Sequence, residues 1–431
     1  MSRLKVFPSR VSGRIKAPPS KSVTHRAIVL ASLANGQSVI RNPLESRDAL
    51  ASLNGCRRLG ASITLDGEGW RVRGGLPCQT PRDVIDVENS GTTMRLLTAT
   101  STLMSGGYAV LTGDSSTRRR PMQPLLDSLG ELGANCWSTR ANGKPPVVVQ
   151  GGTVKGGMTR IRGDISSQFI SALLVAAPAF SRDTTIRVEG SIVSQPYHDM
   201  TLNVLERFGI TTKRHNIQEY LIPSHQEYKP CTFVVPGDFS SAALLLAVAA
   251  LTESELTVAG LDFSIGQGDS AILKILAEMG SQVETNTEEG WVTVHGDGLQ
   301  GGEFDLSSNP DLLPVVAVLA LKAEGETTIR GVKHARFKES DRIAVLATAL
   351  PRFGVDLEER EDGLTIGGRR LLRGCELDAH GDHRIFMALC AAASGASEPC
   401  VVDGMESVDV SYPTFVEDLV RCGMRVGEID R

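Results

Sequence analysis

Six times along the chain a short polar cluster opens into a run of about a dozen small apolar residues. The clusters begin at Ser20, Gly91, Ser166, Ser240, Asp311 and Asp382, about 71 to 75 residues apart. A second marker keeps the same period, because a Leu-rich or Val-rich helical stretch ends at Gly60, Gly133, Gly209, Gly280, Gly354 and Gly423. Solenoid periods are shorter, and a repeat of this length is enough for a small α/β subdomain with its own piece of sheet and of core. The chain reads as one unit copied six times.

Each copy marks the start of its first helix. Ser20-Lys-Ser-Val-Thr, Ser90-Gly-Thr-Thr, Ser166-Ser-Gln, Ser240-Ser, Asn309-Pro-Asp and Gly381-Asp-His all set a capping side chain or a glycine before the apolar run. The runs are too apolar to be amphipathic and are expected to be buried. Each copy continues through a short strand into a second helix, breaks at its glycine, and closes with two strands around a turn such as Asp66-Gly-Glu-Gly, so the unit reads β-α-β-α-β-β. The sixth copy stops short after Gly423, and residues 3 to 16 look like its missing last strands.

A length of 431 residues exceeds what one hydrophobic core usually serves. The expected fold class is therefore α/β with two domains, each of three β-α-β-α-β-β copies in threefold pseudo-symmetry. Residues 18–235 carry copies one to three. Residues 236–431, completed by residues 1–17, carry copies four to six. The chain then crosses between domains near Ala17 to Pro19 and near Val235 to Gly237.

Several function classes lack their residues. No stretch approaches the roughly 20 apolar residues of a membrane span, and Met1 to Pro8 has no apolar signal core, which makes the cytoplasm the default. Eight cysteines without a Cys-x-x-Cys pair fit reduced core residues. A net charge of −5 and no aromatic-plus-basic module give a nucleic-acid partner little support. There is no Gly-x-x-x-x-Gly-Lys-Ser/Thr loop, no Gly-x-Gly-x-x-Gly opening a helix and no Gly-x-Ser-x-Gly elbow. His380-Gly-Asp-His383 with Cys375 nearby is thin ground for a metal site.

The informative charges recur at one place in the repeat. Lys21, Arg26, Arg95, Arg120, Lys338, Arg342 and Arg384 lie in or beside the helix starts. Threefold symmetry would gather those starts at one end of each domain, where helix dipoles and free N–H groups attract anions. Two such ends facing each other would make an anion trap for a substrate with several phosphate or carboxylate groups. Among the cations stand Asp311, Glu339 and Asp382. A carboxylate there stays ionised and suits a base, whereas a lysine there has a lowered pKa and suits an acid. The expected chemistry is proton transfer on a polyanion.

Nine blocks carry a resemblance across essentially the whole chain: Pro19-Ser-Lys-Ser-Val-Thr-His-Arg26, Asn89-Ser-Gly-Thr-Thr-Met-Arg95, Arg120-Pro-Met, Ser166-Ser-Gln-Phe, Ser194-Gln-Pro-Tyr197, Gly237-Asp-Phe-Ser-Ser, Asn309-Pro-Asp311, Phe337-Lys-Glu-Ser-Asp-Arg342 and Gly381-Asp-His-Arg384. In these the chain resembles the 5-enolpyruvylshikimate-3-phosphate synthases, shikimate-pathway enolpyruvyl transferases. The resemblance implies two domains closing over shikimate 3-phosphate and phosphoenolpyruvate, transfer of the enolpyruvyl group to the 5-hydroxyl with loss of phosphate, no cofactor and no metal. It implies that Lys21, Ser22, Arg26, Ser166, Ser167, Gln168, Ser194, Tyr197, Asp311, His334 and Lys338 contact shikimate 3-phosphate. Lys21, Gly91, Thr92, Arg120, Gln168, Arg342 and Arg384 would contact phosphoenolpyruvate. Asp311 is the candidate base for the 5-hydroxyl, and Lys21 or Glu339 the candidates for proton transfer at the methylene carbon, with His383 beside the reacting centre. A monomer inhibited by glyphosate is expected.

The chain departs from the family pattern at two positions. Val410 stands where many members carry a lysine, and His334 where an asparagine is common. Two related families fit the sequence less well. A UDP-N-acetylglucosamine enolpyruvyl transferase usually relies on a loop cysteine, and Gly113 to Arg120 has none. An RNA 3′-terminal phosphate cyclase uses fewer copies and binds nucleic acid.

Overall fold

The computed structural model describes residues 2–369 and 371–429. The chain forms two compact units, Pro19–Pro236 and Met1–Pro18 with Gly237–Arg431.

Among the described residues, three four-stranded sheets form in each unit, and all six share one strand order. The first strand of a copy pairs parallel with the second, and the last strand lies antiparallel between the second and the third. In the second copy these are Ile85–Asp86, Tyr108–Thr112, Val147–Gln150 and Asn135–Ser138 in spatial order. The third copy repeats the order with Gly157–Arg162, Thr184–Glu189, Glu219–Ile222 and Lys213–Asn216, and the fifth with Glu303–Asp305, Glu326–Arg330, Gly363–Gly367 and Asp356–Arg360.

The remaining copies are closed by strands from elsewhere in the chain. Thr232–Val234 supplies the first strand of the first copy, parallel to Gly36–Arg41. Arg3–Val6 takes the last-strand position of the sixth copy, antiparallel to both Cys400–Asp403 and Val426–Ile429. Arg14–Lys16 does not join it, although residues 3 to 16 read together as the missing last strands of that copy. It pairs parallel with Glu255–Ala259 as the first strand of the fourth copy. The two segments look alike because both alternate a basic and an apolar residue, and that pattern carries no information about strand direction. Asp430 and Arg431, the last residues of the sixth copy, lie outside the described residues.

The glycine marker has a conformational cause. Gly60, Gly133, Gly209, Gly280, Gly354 and Gly423 all have φ between 76° and 106°. That left-handed region closes a helix C-terminus and costs least at glycine.

The first helices form the core of each unit. In Phe239–Leu251 every one of the 13 residues is buried, and Leu313–Ala320 and His383–Ser394 are buried along their length. These three helices pack on one another. Each fully buried leucine or valine adds about 1.5 to 3 kcal/mol, so the helices need no strong intrinsic propensity. Capping is less uniform than the sequence suggests. Ser90, Ser166 and Asp382 accept from backbone N–H groups of their helices, but Asp238 rather than Ser240 caps the fourth, and Ser20 and Asn309 make no side-chain cap.

Candidate active site

The helix starts of Pro19–Pro236 are tied together by polar side chains. Lys21 opens the helix Lys21–Leu33, and its Nζ lies 3.1 Å from Asp48 Oδ2, in the first turn of Arg47–Arg58. A buried chain of hydrogen bonds runs from His25 Nδ1 to Ser52 Oγ (2.7 Å), on to Thr93 Oγ1 (2.6 Å) and to Ser90 Oγ (2.6 Å). Burial first, then the charges of Lys21 and Arg26, push His25 well below the ordinary histidine range, so its ring is neutral.

Arg26 is a buried cation among neutral acceptors. Its guanidinium donates to Thr201 Oγ1 (2.8 Å), Ser22 O (2.8 Å), Ser171 Oγ (3.0 Å) and Tyr197 O (3.3 Å). Among the described residues no carboxylate lies within ion-pair distance of it, and burial lowers its pKa to about 10. A desolvated charge in that position favours an incoming anion.

Gly91 begins the helix Gly91–Ser101, and its missing side chain is filled by two guanidinium groups. A Cβ there would lie 2.3 Å from Arg95 Nη1 and 2.5 Å from Arg120 Nη1. Arg95 also lies 5.7 Å from the Phe169 ring centre and donates to Pro121 O. Arg120 donates to Asn89 Oδ1 (3.3 Å) and Ser116 Oγ (3.1 Å). Two like charges therefore converge on one helix start, which suits an anion bridging them. Gln168, in the first turn of Ser167–Ala176, reaches the same helix start through Thr92 Oγ1 (3.0 Å). Ser166 caps that helix, Ser167 is buried, and Ser194 holds a φ of 55° just before the helix Pro196–Arg207. Tyr197, in the first turn of that helix, meets Arg26 through its carbonyl.

The unit of Gly237–Arg431 gathers the acids. Arg342 is 1% exposed and is held by three carboxylates: Asp382 Oδ2 at 2.8 Å, Asp311 Oδ1 at 2.8 Å and Glu339 Oε2 at 2.9 Å. Burial works against its charge, but the three carboxylates more than offset that and raise its pKa. Asp311 sits in the turn Pro310–Leu312 before Leu313–Ala320, gripped on Oδ1 by Arg342 and by Lys338 Nζ (3.4 Å) and on Oδ2 by Arg384 Nη2 (3.2 Å). Asp382 is fully buried, and it both caps His383–Ser394 and holds Arg342. Both of its oxygens are occupied, Oδ2 by Arg342 Nε and the Ser340 hydroxyl and Oδ1 by Arg342 Nη2 and Arg384 N. His383 is buried at the first position of that helix.

His334 is buried in the turn Lys333–Phe337. Burial first, then the charge of Lys338, lowers its pKa to about 4 against an opposing pull from Asp311. It is therefore neutral at pH 7, as an asparagine would be. Val410 is 7% exposed in the turn Met405–Val410.

Two acids escaped the sequence reading. Asp48 looks like a dipole-complementing acid of a second helix, and only its contact with Lys21, 27 residues away, reveals another role. Asp269 is buried, and its partner, the Ser240 hydroxyl, is 29 residues away. Burial first, then Asp311, raises Asp269 to about 6, with Asp238 adding to this and Arg384 and Ser240 opposing it. Among the described residues no three His, Cys, Asp or Glu side chains group to hold a metal ion, and no helix is long and apolar enough to cross a membrane.

The chain is similar to known proteins over nearly its whole length. The sequence profile of EPSP synthase (3-phosphoshikimate 1-carboxyvinyltransferase) matches residues 7–419. The 3-phosphoshikimate 1-carboxyvinyltransferase of Methanocella arvoryzae is 46% identical over 424 residues, covering 98% of this chain and 99% of the relative. That of Methanocaldococcus jannaschii is 43% identical over 420 residues, covering 97% of each. Among solved structures, EPSP synthase from Acinetobacter baumannii superposes with a TM-score of 0.83 at 28% identity over 100% of both chains. The enolpyruvyl transferase NikO from Streptomyces tendae shares the fold, with a TM-score of 0.80 at 19% identity over 99% of both.

Proposed function

The chain belongs to the EPSP synthase family, the 3-phosphoshikimate 1-carboxyvinyltransferases, and from that membership we propose how its residues divide the reaction. The enzyme transfers the enolpyruvyl group of phosphoenolpyruvate to the 5-hydroxyl of shikimate 3-phosphate and releases phosphate, in the shikimate route to aromatic amino acids. Ser22, Arg26, Ser166, Ser167, Gln168, Ser194 and Tyr197 bind shikimate 3-phosphate, joined by Lys338 and a neutral His334. Lys21, Gly91, Thr92, Arg120, Gln168, Arg342 and Arg384 bind phosphoenolpyruvate.

The observation that carries the assignment is the grip of Arg342, Lys338 and Arg384 on Asp311. A carboxylate fixed on both oxygens by cations is ionised and aimed, as a base for a hydroxyl must be. Asp311 takes the proton of the 5-hydroxyl as its oxygen adds to C2 of phosphoenolpyruvate, while the methylene carbon receives a proton from Lys21 or Glu339. The tetrahedral adduct then loses phosphate as the methyl group returns a proton to Lys21 or Glu339, which restores the double bond. Asp48 Oδ2, 3.1 Å from the Lys21 Nζ, holds the Lys21 side chain in place for the donor role. Arginine and lysine stabilise the departing phosphate.

The same cations would take glyphosate, whose phosphonate and carboxylate resemble the charges of phosphoenolpyruvate. A monomer in the cytoplasm, without a nucleic-acid partner, fits a net charge of −5 and two small polyanionic substrates. Calorimetry on two variants tests the division of residues. Arg26→Gln should weaken shikimate 3-phosphate binding, whereas Arg384→Gln should leave it intact and weaken phosphoenolpyruvate binding to the binary complex. The opposite pattern would overturn it.

A further inference from the structure

We propose that Asp114 is a positioning residue for Arg120, acting through the side-chain amide of Asn89. Asn89 Nδ2 donates to Asp114 Oδ2 at 2.6 Å, and Asn89 Oδ1 accepts from Arg120 Nη2 at 3.3 Å. The two ends of this relay fix its middle. A carboxylate can only accept and a guanidinium can only donate, so one orientation of the Asn89 amide satisfies both. Asp114 thereby turns the amide oxygen toward Arg120.

Asp114 is itself held in place. Its other oxygen accepts from Thr117 N (2.8 Å), and its own N–H donates to Glu88 O (2.9 Å). The Thr117 hydroxyl donates to the same carbonyl (2.9 Å), which pins the loop against the residues just before the helix start at Gly91. These bonds set where the Arg120 guanidinium lies over Gly91, and a small displacement there weakens a charge-assisted contact steeply.

The inference rests on the reading of Arg120 as a phosphoenolpyruvate ligand, and the variants separate the two. In Asp114→Asn the one remaining side-chain oxygen stays on the fixed Thr117 N–H, so the new amide donates to Asn89 Oδ1, which turns the Asn89 NH₂ group toward Arg120 and repels it. The KM for phosphoenolpyruvate should rise about tenfold, the equivalent of one lost directed contact, while kcat and the KM for shikimate 3-phosphate stay within about twofold. Arg120→Lys should also raise the KM for phosphoenolpyruvate. If Arg120→Lys raises it and Asp114→Asn does not, the relay is wrong. A parallel rise of both KM values in Asp114→Asn, with a lowered Tm, would mark a merely structural residue and also overturn it. If neither variant moves the KM for phosphoenolpyruvate, the reading of Arg120 itself fails.

Discussion

Asp48 holds the Lys21 ammonium at 3.1 Å from the first turn of the next helix, with the two side chains only 5% and 11% exposed. Removing one partner of such a pair leaves a poorly solvated charge, at a cost on the order of 3 kcal/mol. Asp48→Asn should therefore lower the Tm of the free enzyme. A bound substrate anion replaces the missing counter-ion, so shikimate 3-phosphate with phosphoenolpyruvate should raise the Tm of the variant by more than that of the wild type. Thermal unfolding with and without the substrates checks this, and equal rises would show that Lys21 does not meet the ligands.

Gly91→Ala should weaken phosphoenolpyruvate binding with little loss of stability. The added Cβ falls 2.3 Å from Arg95 Nη1 and 2.5 Å from Arg120 Nη1, the far ends of flexible side chains that can yield. Yielding moves both guanidinium groups off the anion, and the KM for phosphoenolpyruvate should rise about tenfold or more. An unchanged KM in steady-state kinetics would mean that these groups do not contact that substrate.

Asp311→Asn should lower kcat by at least about a hundredfold and leave the KM for shikimate 3-phosphate within a few-fold. The amide keeps the shape and one acceptor for the clamp of Arg342, Lys338 and Arg384 but cannot take a proton. Turnover within a few-fold of wild type would remove Asp311 from the mechanism.

Acid should destabilise the fold before it touches most carboxylates. His25, His198 and His334 are buried and hold fewer protons folded than unfolded, with His198 lowered to about 3, chiefly by burial, and His334 to about 4. Their contribution is complete above the unfolded histidine value of about 6.5 and is lost as pH falls through the folded values. Asp269, raised to about 6, acts in the opposite sense below that pH, one group against three. Tm should fall between pH 7 and pH 4.5, and His334→Asn should shrink that fall. A variant as acid-sensitive as wild type would assign the loss to other groups.

The period, the buried first helices and the glycine stops were legible because each rests on local chemistry: apolar runs, caps and left-handed turns. Lys21 and Arg384 were legible for the same reason, since both open the first helix of a copy, but Arg120 and Arg342 stand at the second helices Gln123–Glu131 and Arg342–Ala349, not at the one position of the repeat that the sequence suggests. What stayed hidden depends on contacts between copies or on distant pairing. Nothing around Asp48 announces Lys21, nothing around Asp269 announces Ser240, and nothing around Asp382 announces its bond to buried Arg342. Arg14–Lys16 and Arg3–Val6 have the same alternation but join different sheets, in parallel and antiparallel pairing. Strand direction depends on the sheet that receives the strand.

Phosphate release tests the central claim most directly. The purified protein, given shikimate 3-phosphate and phosphoenolpyruvate together, should release one inorganic phosphate for each enolpyruvyl product detected by mass spectrometry. Either substrate alone should give none, and UDP-N-acetylglucosamine should not replace shikimate 3-phosphate. No phosphate from the complete mixture, or release from phosphoenolpyruvate alone, would contradict the account.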